Sequence, residues 1–148
     1  MGEVIADARS EKNLEQIDCF LHDQRFDIDK LRYERAAGMV ALPFEKEDRR
    51  GLSGRWYSLL FHKWTVPIHE HVLELQNVKS YTLEDRAQVG RYTFTSLEYD
   101  PVHGNIRIVG SPDLQIVVEV SELALAVVST GKSLGVRSFL TILGCEIS

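Results

Sequence analysis

Cysteine is scarce in this chain. There are two, Cys19 and Cys145, near opposite ends. Two thiols so placed give neither a disulfide framework nor a four-ligand zinc site. Their apolar neighbours in DCFL and ILGCEI predict buried thiols in a reducing cytoplasm, with a bridge between the chain ends as the alternative. Basic charge is short as well: 17 lysines and arginines against 22 acids leave a net charge of −5. That balance excludes bulk binding to nucleic-acid phosphate, which needs a basic stripe. Arg49, Arg50 and Arg55 cluster beside Glu45, Glu47 and Asp48, and mixed signs predict a solvated loop.

Long apolar runs are missing too. LQIVVEVSELALAVVST is interrupted by Glu119 and Glu122, and its alternation predicts sheet, not a membrane span. The start, MGEVIADARSEKN, shows no basic leader and no apolar run, so no secretory signal is expected and the location is read as cytoplasmic. Phosphate-loop, dinucleotide and nucleophile-elbow fingerprints are lacking. GKSLG has Ala126 where a phosphate loop needs glycine, and GSPDL has too few glycines.

What the chain does contain is a sentence written twice. RFDIDKLRYERAAGMVAL starts at Arg25 and RYTFTSLEYDPVHGNIRI at Arg91, 66 positions on, and the two align without a gap. Arg25, Phe26, Ile28, Leu31, Tyr33, Glu34 and Gly38 match Arg91, Tyr92, Phe94, Leu97, Tyr99, Asp100 and Gly104. Apolar alternation at Leu31 and Tyr33, and again at Val40 and Leu42, is the period of a half-buried strand. The acid–x–x–x–Gly between them is hairpin chemistry: the carboxylate accepts turn N–H groups and the glycine takes positive φ. A weaker likeness sets HVLELQNVKSYTL (71–83) against IVVEVSELALAVV (116–128) at an offset of 45. The pattern predicts a mainly β, α+β single domain over 1–148: two tandem antiparallel β-meanders forming a roll, barrel or sandwich, with a short N-terminal helix. Residues 1–13 are expected to be flexible and a helix to span about 11–22, capped by Asn13. The first meander unit covers 14–85 with an insert at about 44–66, and the second covers 89–148. Whether 133–143 is helix or strand stays open.

The insert is read as one aromatic strand, with Trp56, His62 and Trp64 on one face and Tyr57 on the other. It has no counterpart in the second unit, and insertions on a repeated scaffold are where binding is often placed. Its tryptophans alternatively fill the core. His69 and His71 in HEH share a side of a strand and could reach one ligand. The cupin pattern also uses His-x-His on a strand, but Lys63 stands where it has glycine and Glu74 follows His71 by three. Ordinary surface histidines are the simpler reading. His22-Asp23 resembles the doublet of metal-dependent phosphohydrolases, which are helical, so here it is expected to end the helix. Arg25 and Arg91 either bind an anion or stack beside an aromatic and pair with a nearby acid.

HDQRFDIDKLRYERAAGMVAL resembles the start of small bacterial proteins of uncharacterised function, some of them suspected immunity proteins of toxin systems. The resemblance covers roughly 20 residues, carries no catalytic residue, and implies a non-enzymatic binding role. Two readings follow. One is a cytoplasmic module that binds a protein partner through a sheet face or the aromatic insert. The other is a small-molecule or metal-binding protein, or an enzyme, with a pocket near His69 and His71. Binding residues are sought among Trp56, Tyr57, His62, Trp64, His69, His71, Arg25 and Arg91. No catalytic residue, cofactor, nucleic acid or membrane is expected, and an open sheet edge makes a homo-oligomer one expectation.

Overall fold

Arg25 and Arg91, the first residues of the two copies, begin neighbouring strands. The computed structural model describes residues 2–56, 61–142 and 145–147, with backbone alone for Arg55, Trp56 and 145–147. β2 (Arg25–Asp27) and β8 (Arg91–Asp100) pair antiparallel, Arg25 opposite Thr93, Phe26 opposite Tyr92 and Asp27 opposite Arg91. Phe26 thus lies across from its own counterpart, so a local two-fold axis passes through that pair. Their rings pack 6.0 Å apart.

Each copy then forms a hairpin. β3 (Arg32–Glu34) pairs with β4 (Met39–Glu47), with Tyr33 opposite Val40. β8 pairs with β9 (Asn105–Ser111), with Tyr99 opposite Ile106. Gly38 and Gly104 close the turns at φ 62° and 64°, where a β-carbon is strained. In the second turn Asp100 accepts the backbone N–H groups of Val102 and His103, and His103 Nδ1 lies 2.6 Å from its other oxygen. The His103 contact comes first among the causes that hold the Asp100 carboxyl below the usual carboxylate range. Strict alternation would turn Leu31 and Leu97 outward. A one-turn 3-10 helix at Ile28–Lys30 shifts the phase in the first copy, and a bulge between Phe94 and Ser96 does so in the second.

The third strands are β6 (Phe61–Leu75) and β10 (Leu114–Val120). Leu75 and Leu73 face Val40 and Leu42, while Val118 and Ile116 face Ile106 and Ile108. The offset between third strands is therefore 43 (116 minus 73), not 45. A slip of two leaves the inward pattern of a strand unchanged. The fourth strands cross over. β7 (Val78–Asp85), which follows β6, pairs with β10; β11 (Leu125–Ile142), which follows β10, pairs with β6. The crossing links bond reciprocally: Gln76 N–H donates to Ala124 O, and Ser121 N–H to Asn77 O. The strand units drawn in chain order, 14–85 and 89–148, each lend their fourth strand to the other.

With β1 (Glu3–Ala8) at one end, the twelve strands run β1-β11-β6-β4-β2-β8-β9-β10-β7, with β3, β5 (Ser53–Trp56) and β12 (Cys145–Ile147) attached to β4, β6 and β11. Among the described residues no pairing joins the two ends, so the sheet is open and the barrel alternative falls away. Its two halves share one core, with Phe26, Leu42, Leu73, Leu75, Phe94, Ile106, Ile108 and Ile116 at most 2% exposed. Helix α1 (Glu11–Leu21) packs against β1 (Glu3–Ala8) and β8, burying Leu14, Ile17 and Leu21 at helical spacing. Asp18 ties it to β8 by accepting from Leu97 N–H at 2.9 Å.

Three expectations are corrected and one open choice is settled. Residues 3–8, expected to be flexible, form β1 on the edge of β11. Ser10, not Asn13, holds the N-cap position of α1. The 133–143 segment is strand as far as Ile142. Cys19 lies exposed on α1 instead of buried, because the inward stripe is already filled by Leu14, Ile17 and Leu21; the Cys145 side chain lies outside the described residues. His22 does end the helix, and Asp23 takes φ 64° after it.

Candidate functional site

β6 and β11 outrun the core. Beyond His69 they continue together as a two-stranded arm, Val66 opposite Arg137, Trp64 opposite Phe139 and Phe61 opposite Ile142. β5 adds to β6 with Trp56 opposite His62, and β12 adds to β11. The aromatic segment 56–66 is thus no single strand: Trp56 and Phe61 stand on separate strands, and 57–60, including Tyr57, lie outside the described residues.

Alternation gives the arm two faces. On one, His62 is 8% exposed and stacks on Trp64 at 4.0 Å. Trp64 donates its indole N–H to Thr141 Oγ1 at 3.1 Å and stacks on Phe139 at 6.5 Å. Arg49 lies over Phe139, 4.9 Å from the ring centre, and Glu47 pairs with both Arg49 and Arg137. This face is packed. The opposite face carries Phe61, Lys63, Thr65, Pro67, Val136, Ser138, Leu140 and Ile142. Val136 is 68% exposed, Leu140 42% and Phe61 42%.

At the base of the arm an open cleft of about 790 Å³ lies between β1, α1, β4, β6 and β11. His69 and His71 both line it, with Phe20, Lys46, Asp48 and Ser129. The two histidines differ. His69 is half-buried, 3.7 Å from Asp48. His71 is buried, its ring 5.5 Å from Phe20 and 5.7 Å from Phe44, and its Nδ1 has no hydrogen-bond partner among the described residues. Burial, first among the causes, pushes the His71 pKa down; the His69 backbone pulls the other way, and charge on His69 and Lys46 adds repulsion. Lys46 donates to Phe20 O at 3.1 Å with its ammonium over the Phe20 ring at 4.3 Å; burial lowers its pKa as well. Among the described residues no group of three or more His, Cys, Asp and Glu side chains is placed to hold a metal ion.

Arg25 and Arg91 sit on the outer face of the β2–β8 seam. Arg91 pairs with Glu45 at 2.6 Å while Arg25 lies opposite Glu45 across β4. Both line one shallow pocket with Glu45, Glu47 and Arg137, in which acids and bases alternate. Sequence reading missed Lys46, Val136 and Leu140. Lys46 follows Phe44 on the same face of a strand that reads as core edge, and the arm's exposed face was hidden while 56–66 was taken as one strand.

No protein-family model matches the chain, and no curated protein or solved structure matches it.

Proposed function

We propose that the protein is a non-catalytic binding module that docks another protein on the exposed face of its β6–β11 arm. The observation that supports this reading is the run of Phe61, Leu140 and Val136 along one face of a hairpin that leaves the core. Clustered exposed apolar side chains cost solubility unless something covers them.

Footprint and charge narrow the partner. Eight residues from Phe61 to Ile68 extend about 26 Å at roughly 3.3 Å each, and four strands at about 4.8 Å make the arm roughly 19 Å wide. The face therefore offers about 500 Å² per partner, at the lower limit for a specific contact and in the transient range. Lys63 is the one charged side chain among the eight that β6 and β11 place on it. Docking that face on a second copy would bring two lysines into one small apolar contact with no acid, so a partner with an apolar surface and a carboxylate opposite Lys63 fits better. The repeat, in this reading, is an internal duplication that supplies a rigid platform, and the arm is the addition that carries recognition.

A photo-reactive residue at position 136, compared in cells with one at the still more exposed Val102, tests this. One defined protein crosslinked from 136, not from 102, and lost with Leu140→Glu is expected. With that partner purified, Lys63→Glu should weaken binding and a reversed charge on the partner should restore it. Crosslinking to a second copy of the chain, or equal capture at both positions, would contradict the proposal.

A further inference from the structure

The cleft at the base of the arm carries a separate assignment that does not rest on the arm. We infer that it is a binding site for a small organic anion, a carboxylate on an apolar body, held at its charged end by Lys46 beside His71.

The inference starts from charge pairing. Every charged side chain that faces the cleft can be placed. β1 brings Glu3; β4 brings Lys46 and Glu47; the 3-10 turn after β4 brings its cap Asp48 with Arg49 and Arg50; β6 brings His69 and His71; Ser129 and Gly131 of β11 bring none. Glu47 holds Arg49 at 2.8 Å, and Asp48 holds Arg50 at 3.2 Å with His69 at 3.7 Å. Lys46 is the cation of this set with no carboxylate within 4 Å among the described residues; a carbonyl and a ring face are its contacts. A half-buried ammonium so placed keeps its charge at a desolvation cost that an anion would offset.

The body of the ligand follows from the walls. Phe20 and Ile5 give the cleft an apolar side. His71, stacked on Phe44 with Phe20 meeting it edge-on, extends it and is buried, with no hydrogen-bond partner for its Nδ1 among the described residues. A volume of about 790 Å³ lies inside the usual range for small-molecule sites of roughly 300–1,000 Å³. An apolar wall with one free cation at its end suits an amphipathic monoanion better than a phosphate, which would draw on several unpaired basic groups.

Proton linkage gives a second signature. A carboxylate near His71 favours the imidazolium that burial now disfavours, so binding takes up a proton and tightens as pH falls.

Benzoate and decanoate, each titrated by calorimetry and by imidazole NMR against benzyl alcohol and decanol, test the assignment on the intact chain. The acids are expected to bind and shift the His71 resonances, more tightly at pH 6 than at pH 8, while the alcohols bind at least tenfold more weakly. Lys46→Gln should lose at least tenfold in affinity, the expected cost of a charged hydrogen bond, with its melting curve intact; Lys46→Arg should retain binding. Equal binding of acid and alcohol, an unchanged Lys46→Gln affinity in a folded protein, or silent His71 resonances at saturating carboxylate would each overturn it.

Discussion

Alanine at Gly38 and alanine at Gly104 should cost the same. The two residues take φ 62° and 64°. A β-carbon on Gly38 would meet the Val78 carbonyl oxygen at 3.3 Å, and one on Gly104 would meet the Val120 oxygen at 3.3 Å. Their own carbonyls accept from those same residues, Val78 N–H at 2.8 Å and Val120 N–H at 2.9 Å. Left-handed backbone costs an L-residue about 1–2 kcal/mol. Alanine returns about 0.4–1 kcal/mol by restricting the unfolded chain, and the carbonyl contact adds some strain back. Each variant should therefore lose about 1 kcal/mol, or roughly 2–4 °C in Tm for a chain of this size. Val78 lies opposite Val120 in the β7–β10 pairing, so the two turns meet there, and the double variant should lose about 2 kcal/mol with any departure from that sum reporting their coupling. Asparagine, which tolerates this backbone, should cost less at either site. Urea titration with a common m-value is the assay. Losses that differ by more than about 1 kcal/mol, or no loss at one glycine, would refute the equivalence of the two turns.

Other outcomes follow from single contacts. Tyr92 donates its hydroxyl to Asp85 and accepts from Val89 N–H; Tyr92→Phe should cost about 1–2 kcal/mol by leaving those groups unpaired, read by denaturant titration. His71 has its folded pKa pushed below the ordinary 6.5 by burial, so the unfolded chain binds the extra proton. Stability should therefore be full above about pH 6.5 and fall as pH drops below it, and His71→Phe should flatten that slope in melts from pH 8 to 5. Phe94 is 2% exposed between Phe26 and Phe44, and Phe94→Ala should cost about 3–5 kcal/mol. Leu140→Glu, on the arm's exposed face, should change Tm by little while removing partner capture.

The hairpins were legible because their information is local. Acid, three residues, glycine, with alternation on each side, specify a turn and its register within a few bonds. The fourth-strand exchange left no local mark. VKSYTLED and LALAVVST read as strands wherever they pair, and only the packed halves decide that β7 joins β10 and β11 joins β6. The two-residue error in the third-strand alignment has the same origin, since a pattern of period two cannot tell 43 from 45. β1 was missed because EVIADA shows just one buried residue, Ala8, and pairs at an edge. At the site, His69 and His71 were found by spacing. Lys46 was not, because what sets it apart is the partner it lacks, and a sequence does not show that the neighbouring carboxylates of Glu47 and Asp48 are taken by Arg49 and Arg50.

The central claim is that each half is incomplete without the strand it receives from the other. β7 pairs with β10, and β11 pairs with β6 and β1. Cutting the exposed 86–89 link and preparing 1–88 and 89–148 separately puts this to a direct test, by circular dichroism and thermal melting of each fragment and of the mixture. Neither fragment should show a cooperative melt alone, and an equimolar mixture should recover a single sigmoidal transition. A fragment that melts cooperatively by itself, or a mixture that stays unfolded, would contradict the account.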